Sequence, residues 1–150
     1  ATLIAACCTS GAVSAGQNKE IVEKMRLFGE KAGIAFQIKD DLFDYTQSPL
    51  IGKPTAIDIR EQKMTLPLIH SLTIHHGKSR ERLAEIISNF NYDLFEELIG
   101  LLEKSDSFSY TEILIQNHFD RAMKHLEIFD DSEIKQHLFA LSEYITKRKL

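Results

Sequence analysis

The chain has 150 residues, 43% hydrophobic and 27% charged, with a formal net charge of −4. That is enough for one domain with a real core, and the balance is ordinary for a globular protein. The acidic balance argues against a nucleic-acid binder, which shows a basic face, and no apolar run is long enough to span a bilayer. No charged n-region precedes the apolar N-terminal stretch, so no secretory signal is read there.

Seven glycines and three prolines leave long stretches without either, which favours helices throughout. The chain starts at Ala1-Thr2-Leu3-Ile4, without a Met and already inside an apolar helical pattern. A piece of something longer is expected. Residues 1 to about 16 predict a helix rich in small residues, among them Ala5, Ala6, Gly11, Ala12 and Ala15, which lets a neighbouring helix approach closely. Cys7 and Cys8 are adjacent and form no zinc-type spacing, so two reduced thiols in a reducing cytoplasm are expected.

Asn18 is placed to cap the next helix, with Glu20 in its first turn. That helix is read from Lys19 to Tyr45, with apolar positions Ile21, Met25, Phe28, Ala32, Ala35, Phe36 and Phe43 at helical period. Between Thr46 and Met64 the period breaks around Pro49, Gly52 and Pro54, which predicts a loop with one helical turn. Thr65 then caps a short helix with Pro67 in its first turn. Further helices are read near 79–89, 93–104, 109–128 and 132–148, with Ser79 and Ser132 (or Asp131) as N-caps. No strand and no domain boundary is expected. His70, His75, His76, His118, His125 and His137 show no metal spacing. Lys147-Arg148-Lys149 reads as a helix end whose cations complement the dipole.

The chemistry concentrates in Asp40-Asp41-Leu42-Phe43-Asp44. At about 100° per residue, Asp40, Asp41 and Asp44 fall with Gln37 into one arc of roughly 100° on a continuous helix. Like charges so placed repel, and acids near a helix C-terminus oppose the macrodipole. A hard cation such as Mg²⁺ or Ca²⁺ would offset both, since it takes oxygen ligands. The loop that follows carries Lys53, Arg60 and Lys63. Acids on a helix followed by lysines on a loop suit a diphosphate, held through Mg²⁺ by the acids and neutralised by the lysines.

The stretch Gly33-Ile34-Ala35-Phe36-Gln37-Ile38-Lys39-Asp40-Asp41-Leu42-Phe43-Asp44 resembles the second aspartate-rich motif of trans-isoprenyl diphosphate synthases, G-x-A-F-Q-x-x-D-D-x-x-D. Gly52-Lys53-Pro54 and Asp58-Ile59-Arg60-Glu61-Gln62-Lys63-Met64-Thr65-Leu66-Pro67-Leu68-Ile69 resemble the segments that follow it in that family. A bare DDxxD is weak, but the segments in order and at this spacing are specific. The resemblance implies an all-α antiparallel helix bundle, the C-terminal part of the isoprenoid synthase fold. It implies a Mg²⁺-dependent prenyltransferase that ionises an allylic diphosphate for attack by isopentenyl diphosphate. Asp40 is then the main ligand of one Mg²⁺, and Asp41 and Asp44 support that ion and its waters. Gln37 faces the allylic cation or its diphosphate, Lys53 binds the diphosphate, Lys63 joins the same charge clamp, and Phe36 lines the prenyl-chain cavity.

Two departures from the family pattern matter. Ala56 stands where the family usually has glycine, and 1–150 holds no second DDxxD, Asp130-Asp131 reading as a turn between helices. Residues 1–150 are therefore expected to be a single helical unit without the N-terminal half, supplying one wall of the active site and inactive alone. Self-association, as a homodimer or across the uncovered face, is expected. The alternative is a non-catalytic helical partner subunit. Thr65-Leu66-Pro67-Leu68-Ile69 looks more like long-chain than short-chain synthases.

Overall fold

The computed structural model describes residues 1–45 and 56–147. These are helical, with no strand among them: α1 (Thr2–Ser14), α2 (Lys19–Phe43), α3 (Ile57–Arg60), α4 (Leu66–Ile74), α5 (Gly77–Ser88), a 3₁₀ turn (Tyr92–Leu94), α6 (Phe95–Lys104), α7 (Ser107–Leu126) and α8 (Glu133–Lys147). No helix among them is long and apolar enough to cross a membrane. The chain comprises two compact units.

The first unit comprises Ala1–Lys39 and the described residues from Leu114 onward. The Asn18 side chain accepts the Ile21 amide at 3.0 Å and starts α2 as expected. The small residues of α1 act as their spacing suggests. A Cβ added to Gly29 would lie 2.8 Å from the Ala5 Cα, and one added to Gly33 would lie 2.7 Å from the Ala1 Cα. Glycine at these positions of α2 lets the two backbones meet. Phe28, Ala122 and Leu126 are buried at the centre, with Cys8, Met25, Ala32, Met123, Phe129 and Leu138 packed around them. Phe119 and Phe139 meet edge to face with ring centres 5.6 Å apart, which ties α8 to α7. The Ser132 hydroxyl accepts the Lys135 amide at 3.2 Å and caps α8, whereas Asp131 pairs with the Lys135 ammonium at 3.1 Å.

The second unit is Asp40–Ile113. Tyr45, Ala56, Ile59, Leu68, Leu83, Ile86, Ile87, Phe95, Leu98 and Leu102 form its core. At about 25 cal/mol per Å² of apolar surface removed from water, such a cluster dominates the stability of the unit. Arg82 binds Glu97 through two parallel bonds of 2.8 and 2.7 Å, joining α5 to α6. Buried polar groups are paired within the core. The Ser105 hydroxyl reaches Ser71 at 2.8 Å and Ser107 at 2.7 Å, and Ser107 reaches His70 Nδ1 at 2.9 Å.

Two caps differ from the sequence reading. Thr65 precedes α4 but its side chain does not cap it, because its hydroxyl is hydrogen-bonded to the Tyr45 hydroxyl. Ser79 does not start α5, which begins at Gly77 behind His76, where Gly77 takes φ +54°, a backbone conformation that glycine reaches without strain.

Candidate functional site

α2 carries Phe36 and Gln37 in the first unit, the one half-buried and the other exposed. The same helix ends at Phe43 in the second unit, where Asp40 is exposed and Asp41 half-buried in its last turn. No basic residue lies in that turn. The acids face the negative end of the macrodipole. The helix gives way here rather than running to Tyr45: the Asp44 and Tyr45 amides reach back only three residues, to the Asp41 and Leu42 carbonyls at 3.3 Å each.

Asp44 thus lies beyond the helix, and its side chain is used locally. One carboxylate oxygen accepts the Ile57 amide at 3.0 Å and the other accepts the Asp58 amide at 2.9 Å. Its backbone carbonyl accepts the Ala56 amide at 3.0 Å. Burial pushes the Asp44 carboxyl above the ordinary range, and the Ile57 and Asp58 amides pull against that shift. Ala56 is fully buried and sits at φ +61°, in the left-handed region. This is the position where the resembled family usually has glycine, and the backbone requirement is visible here.

Lys63 is exposed, and its ammonium lies 2.9 Å from Asp58 and 2.8 Å from Glu61. Those two carboxylates hold its pKa above the ordinary lysine value. Its backbone amide also bonds the Asp58 carbonyl at 2.8 Å. Lys53 lies outside the described residues. Burial chiefly, and nearby carboxylates, push the Tyr45 hydroxyl above its usual range, although Thr65 opposes this.

Among the described residues no three His, Cys, Asp or Glu side chains form a group that could hold a metal ion. Asp40 and Asp41 place two carboxylates at the end of α2. This donor set still fits Mg²⁺, which is commonly bound by one or two carboxylates with waters and substrate phosphates completing the shell. A cavity of about 500 Å³ in the first unit is lined by Ala12, Ile21, Met25, Leu126 and Leu138 among others, and Phe36 is not part of its wall. Sequence reasoning singled out Asp40, Asp41, Asp44 and Lys63 as candidates but gave no sign of the Asp44–Ala56 contact, because a pairing of residues twelve positions apart leaves no local period.

The model of the polyprenyl synthetase family matches residues 1–101. The chain belongs to the polyprenyl synthetase family. It is 31% identical over 150 residues to a short chain isoprenyl diphosphate synthase of Methanothermobacter thermautotrophicus, covering 99% of this chain and 46% of that protein. It is 30% identical over 149 residues to heptaprenyl diphosphate synthase component 2 of Geobacillus stearothermophilus, covering 99% and 46%. A crystal structure of a polyprenyl synthase from Caulobacter crescentus CB15, complexed with calcium and isoprenyl diphosphate, superimposes with TM-score 0.90 at 29% identity, over 99% of this chain and 46% of that one. The chain spans about half the length of the curated relatives it matches. The all-helical architecture is that of the isoprenoid synthase fold.

Proposed function

We propose that residues 1–150 form the C-terminal portion of a trans-prenyltransferase and supply the second aspartate-rich wall of its active site. The observation that carries this is the placement of Asp40 and Asp41 in the last turn of α2 in a polyprenyl synthetase chain, followed by α3 and Lys63. The likeness to a polyprenyl synthase that holds calcium and isoprenyl diphosphate supports it.

In this reading the substrates are an allylic diphosphate and isopentenyl diphosphate, and the resident ion is Mg²⁺. Asp40 is its principal ligand and Asp41 orients its waters. The ion neutralises the diphosphate and makes it a better leaving group. Lys53 binds the diphosphate and Lys63 adds positive charge nearby, its ammonium held by Asp58 and Glu61. Gln37 faces the allylic end, and Phe36 packs on the prenyl chain. One aspartate-rich segment is half of the constellation, so residues 1–150 do not turn over alone. Free Cys7 and Cys8 suit a reducing cytoplasm.

The test is made on the protein that carries this chain together with a partner aspartate-rich segment. Adding Mg²⁺ and a diphosphate should shift resonances at Asp40 and Lys53, and Asp40→Ala should cut prenyl transfer by orders of magnitude. No shift at either residue, or near-normal turnover in the variant, overturns the assignment.

Heptaprenyl diphosphate synthase component 2 is by its name one component of an assembly, which favours a second reading. Here the chain is a helical partner subunit that does no chemistry itself. The exposed Leu3, Ile134, Leu141 and Tyr144 of the first unit suit association with a second copy, giving a homodimer, or with another helical chain. A strictly monomeric species by light scattering at high concentration counts against association.

A further inference from the structure

We infer that Asp44 is a positioning residue: its carboxylate holds the first turn of α3, and through Asp58 it sets Lys63, while Asp40 and Asp41 alone serve the cation. This rests on the prenyltransferase reading of Asp40, Asp41 and Lys63. The geometry forms an unbroken chain of contacts within the second unit. The two Asp44 oxygens accept the amides of Ile57 and Asp58, thirteen and fourteen residues further on. These amides belong to the first turn of a helix, where no intrahelical acceptor exists. The adjoining Ala56 has no side-chain cap to offer. The Asp58 carboxylate then holds the Lys63 ammonium at 2.9 Å, and its carbonyl holds the Lys63 amide at 2.8 Å. Three acceptors on one residue fix the point where the chain returns at Ala56–Asp58. Turning the Asp44 carboxylate toward a cation would take the acceptor from both amides. Mg²⁺ does not need the third acid, because one or two carboxylates with phosphates and waters satisfy it.

Asparagine at position 44 separates the two roles. It keeps one oxygen but sets an NH₂ donor against an amide donor, so one of the two side-chain bonds is lost. In the whole protein, Asp44→Asn should speed hydrogen exchange about tenfold or more at whichever of the Ile57 and Asp58 amides loses its acceptor, without any metal present. It should raise the KM for the allylic diphosphate more than it lowers kcat. The Mg²⁺ concentration for half-maximal transfer should stay within about twofold of the parent. Asp40→Asn serves as the converse control: the Mg²⁺ requirement should rise and the two amides should keep their protection. Unchanged exchange at Ile57 and Asp58 in Asp44→Asn overturns the inference, whatever the activity. So does a tenfold rise in its Mg²⁺ requirement. If the parent protein transfers no prenyl group, the prenyltransferase reading fails, and the amide exchange still decides whether Asp44 holds α3.

Discussion

The Asp44 carbonyl and the Ala56 amide are hydrogen-bonded at 3.0 Å, with Ala56 buried and held at φ +61°. A Cβ in that region costs roughly 1–2 kcal/mol, which glycine avoids. The Ala56 methyl is nevertheless packed in the core of the second unit, and burying a methyl returns about 0.8 kcal/mol. Glycine also loses about 0.5–1 kcal/mol through the freedom of its unfolded chain. These terms nearly cancel, so Ala56→Gly should stay within about 1 kcal/mol of the parent in urea unfolding. Ala56→Val adds a branched side chain to a left-handed, buried position and should lose about 2 kcal/mol or more. A valine variant as stable as the parent would contradict this backbone assignment.

Gly29 and Gly11 give a matched pair of outcomes. Alanine favours a helix over glycine by about 1 kcal/mol. At Gly11 a new Cβ meets open space, so Gly11→Ala should stabilise by up to about 1 kcal/mol. At Gly29 the new Cβ would meet the Ala5 Cα at 2.8 Å and the Ile4 carbonyl oxygen at 2.8 Å. Neither is a flexible side-chain end, so α1 has to move. Gly29→Ala should therefore lose about 1–3 kcal/mol despite the better helix former. Thermal melts of the two variants should shift in opposite directions, and equal shifts would rule out the close α1–α2 approach.

The helices were legible in the sequence because their signals are local. The Asn18 and Ser132 caps, the proline in the first turn of α4 and the apolar period of α2 all act within a few residues. What escaped depends on distant partners. Thr65 has the right residue type for a cap, yet Tyr45, twenty residues earlier, takes its hydroxyl. Asp44 stands out by residue type and spacing, and nothing local signals that the Ile57 and Asp58 amides face its oxygens. Ala56 was legible as a departure from a family pattern, but only its φ explains why that position favours glycine. Of the candidate site, spacing and resemblance name Asp40, Asp41, Asp44 and Lys63 as candidates. The Asp58–Lys63 pair could not, since a five-residue separation across a turn carries no periodic signal.

The Tyr45 hydroxyl predicts behaviour in alkali. Burial chiefly holds its proton beyond the usual tyrosine range. Unfolded tyrosine loses its proton near pH 10. Above that pH the native state holds the proton more tightly than the unfolded state, so stability falls as pH rises through about 10. Tyr45→Phe should flatten that slope at a cost of about 1 kcal/mol near neutrality, for the lost bond to Thr65. Unfolding series at pH 8, 9, 10 and 11 compare the two, and parallel slopes would mean that Tyr45 is not the group responsible.

His118 and His125 predict the opposite edge of the pH range. Both are pushed below the ordinary histidine value, first by burial and then by nearby lysines and Arg121. The buried His118 Nδ1 has no hydrogen-bond partner among the described residues, so nothing there compensates a charged ring. Unfolded histidine titrates near pH 6.5. As pH falls through that value the unfolded state takes up protons before the native state does, so the native state loses stability from about pH 7 downward. Carboxylates contribute little until lower pH, which leaves a window between about pH 7 and 5.5 where histidines dominate. The double variant His118→Gln, His125→Gln should be less sensitive to pH across that window in urea unfolding. If it loses as much stability as the parent between those pH values, then the slope does not come from the α7 pair.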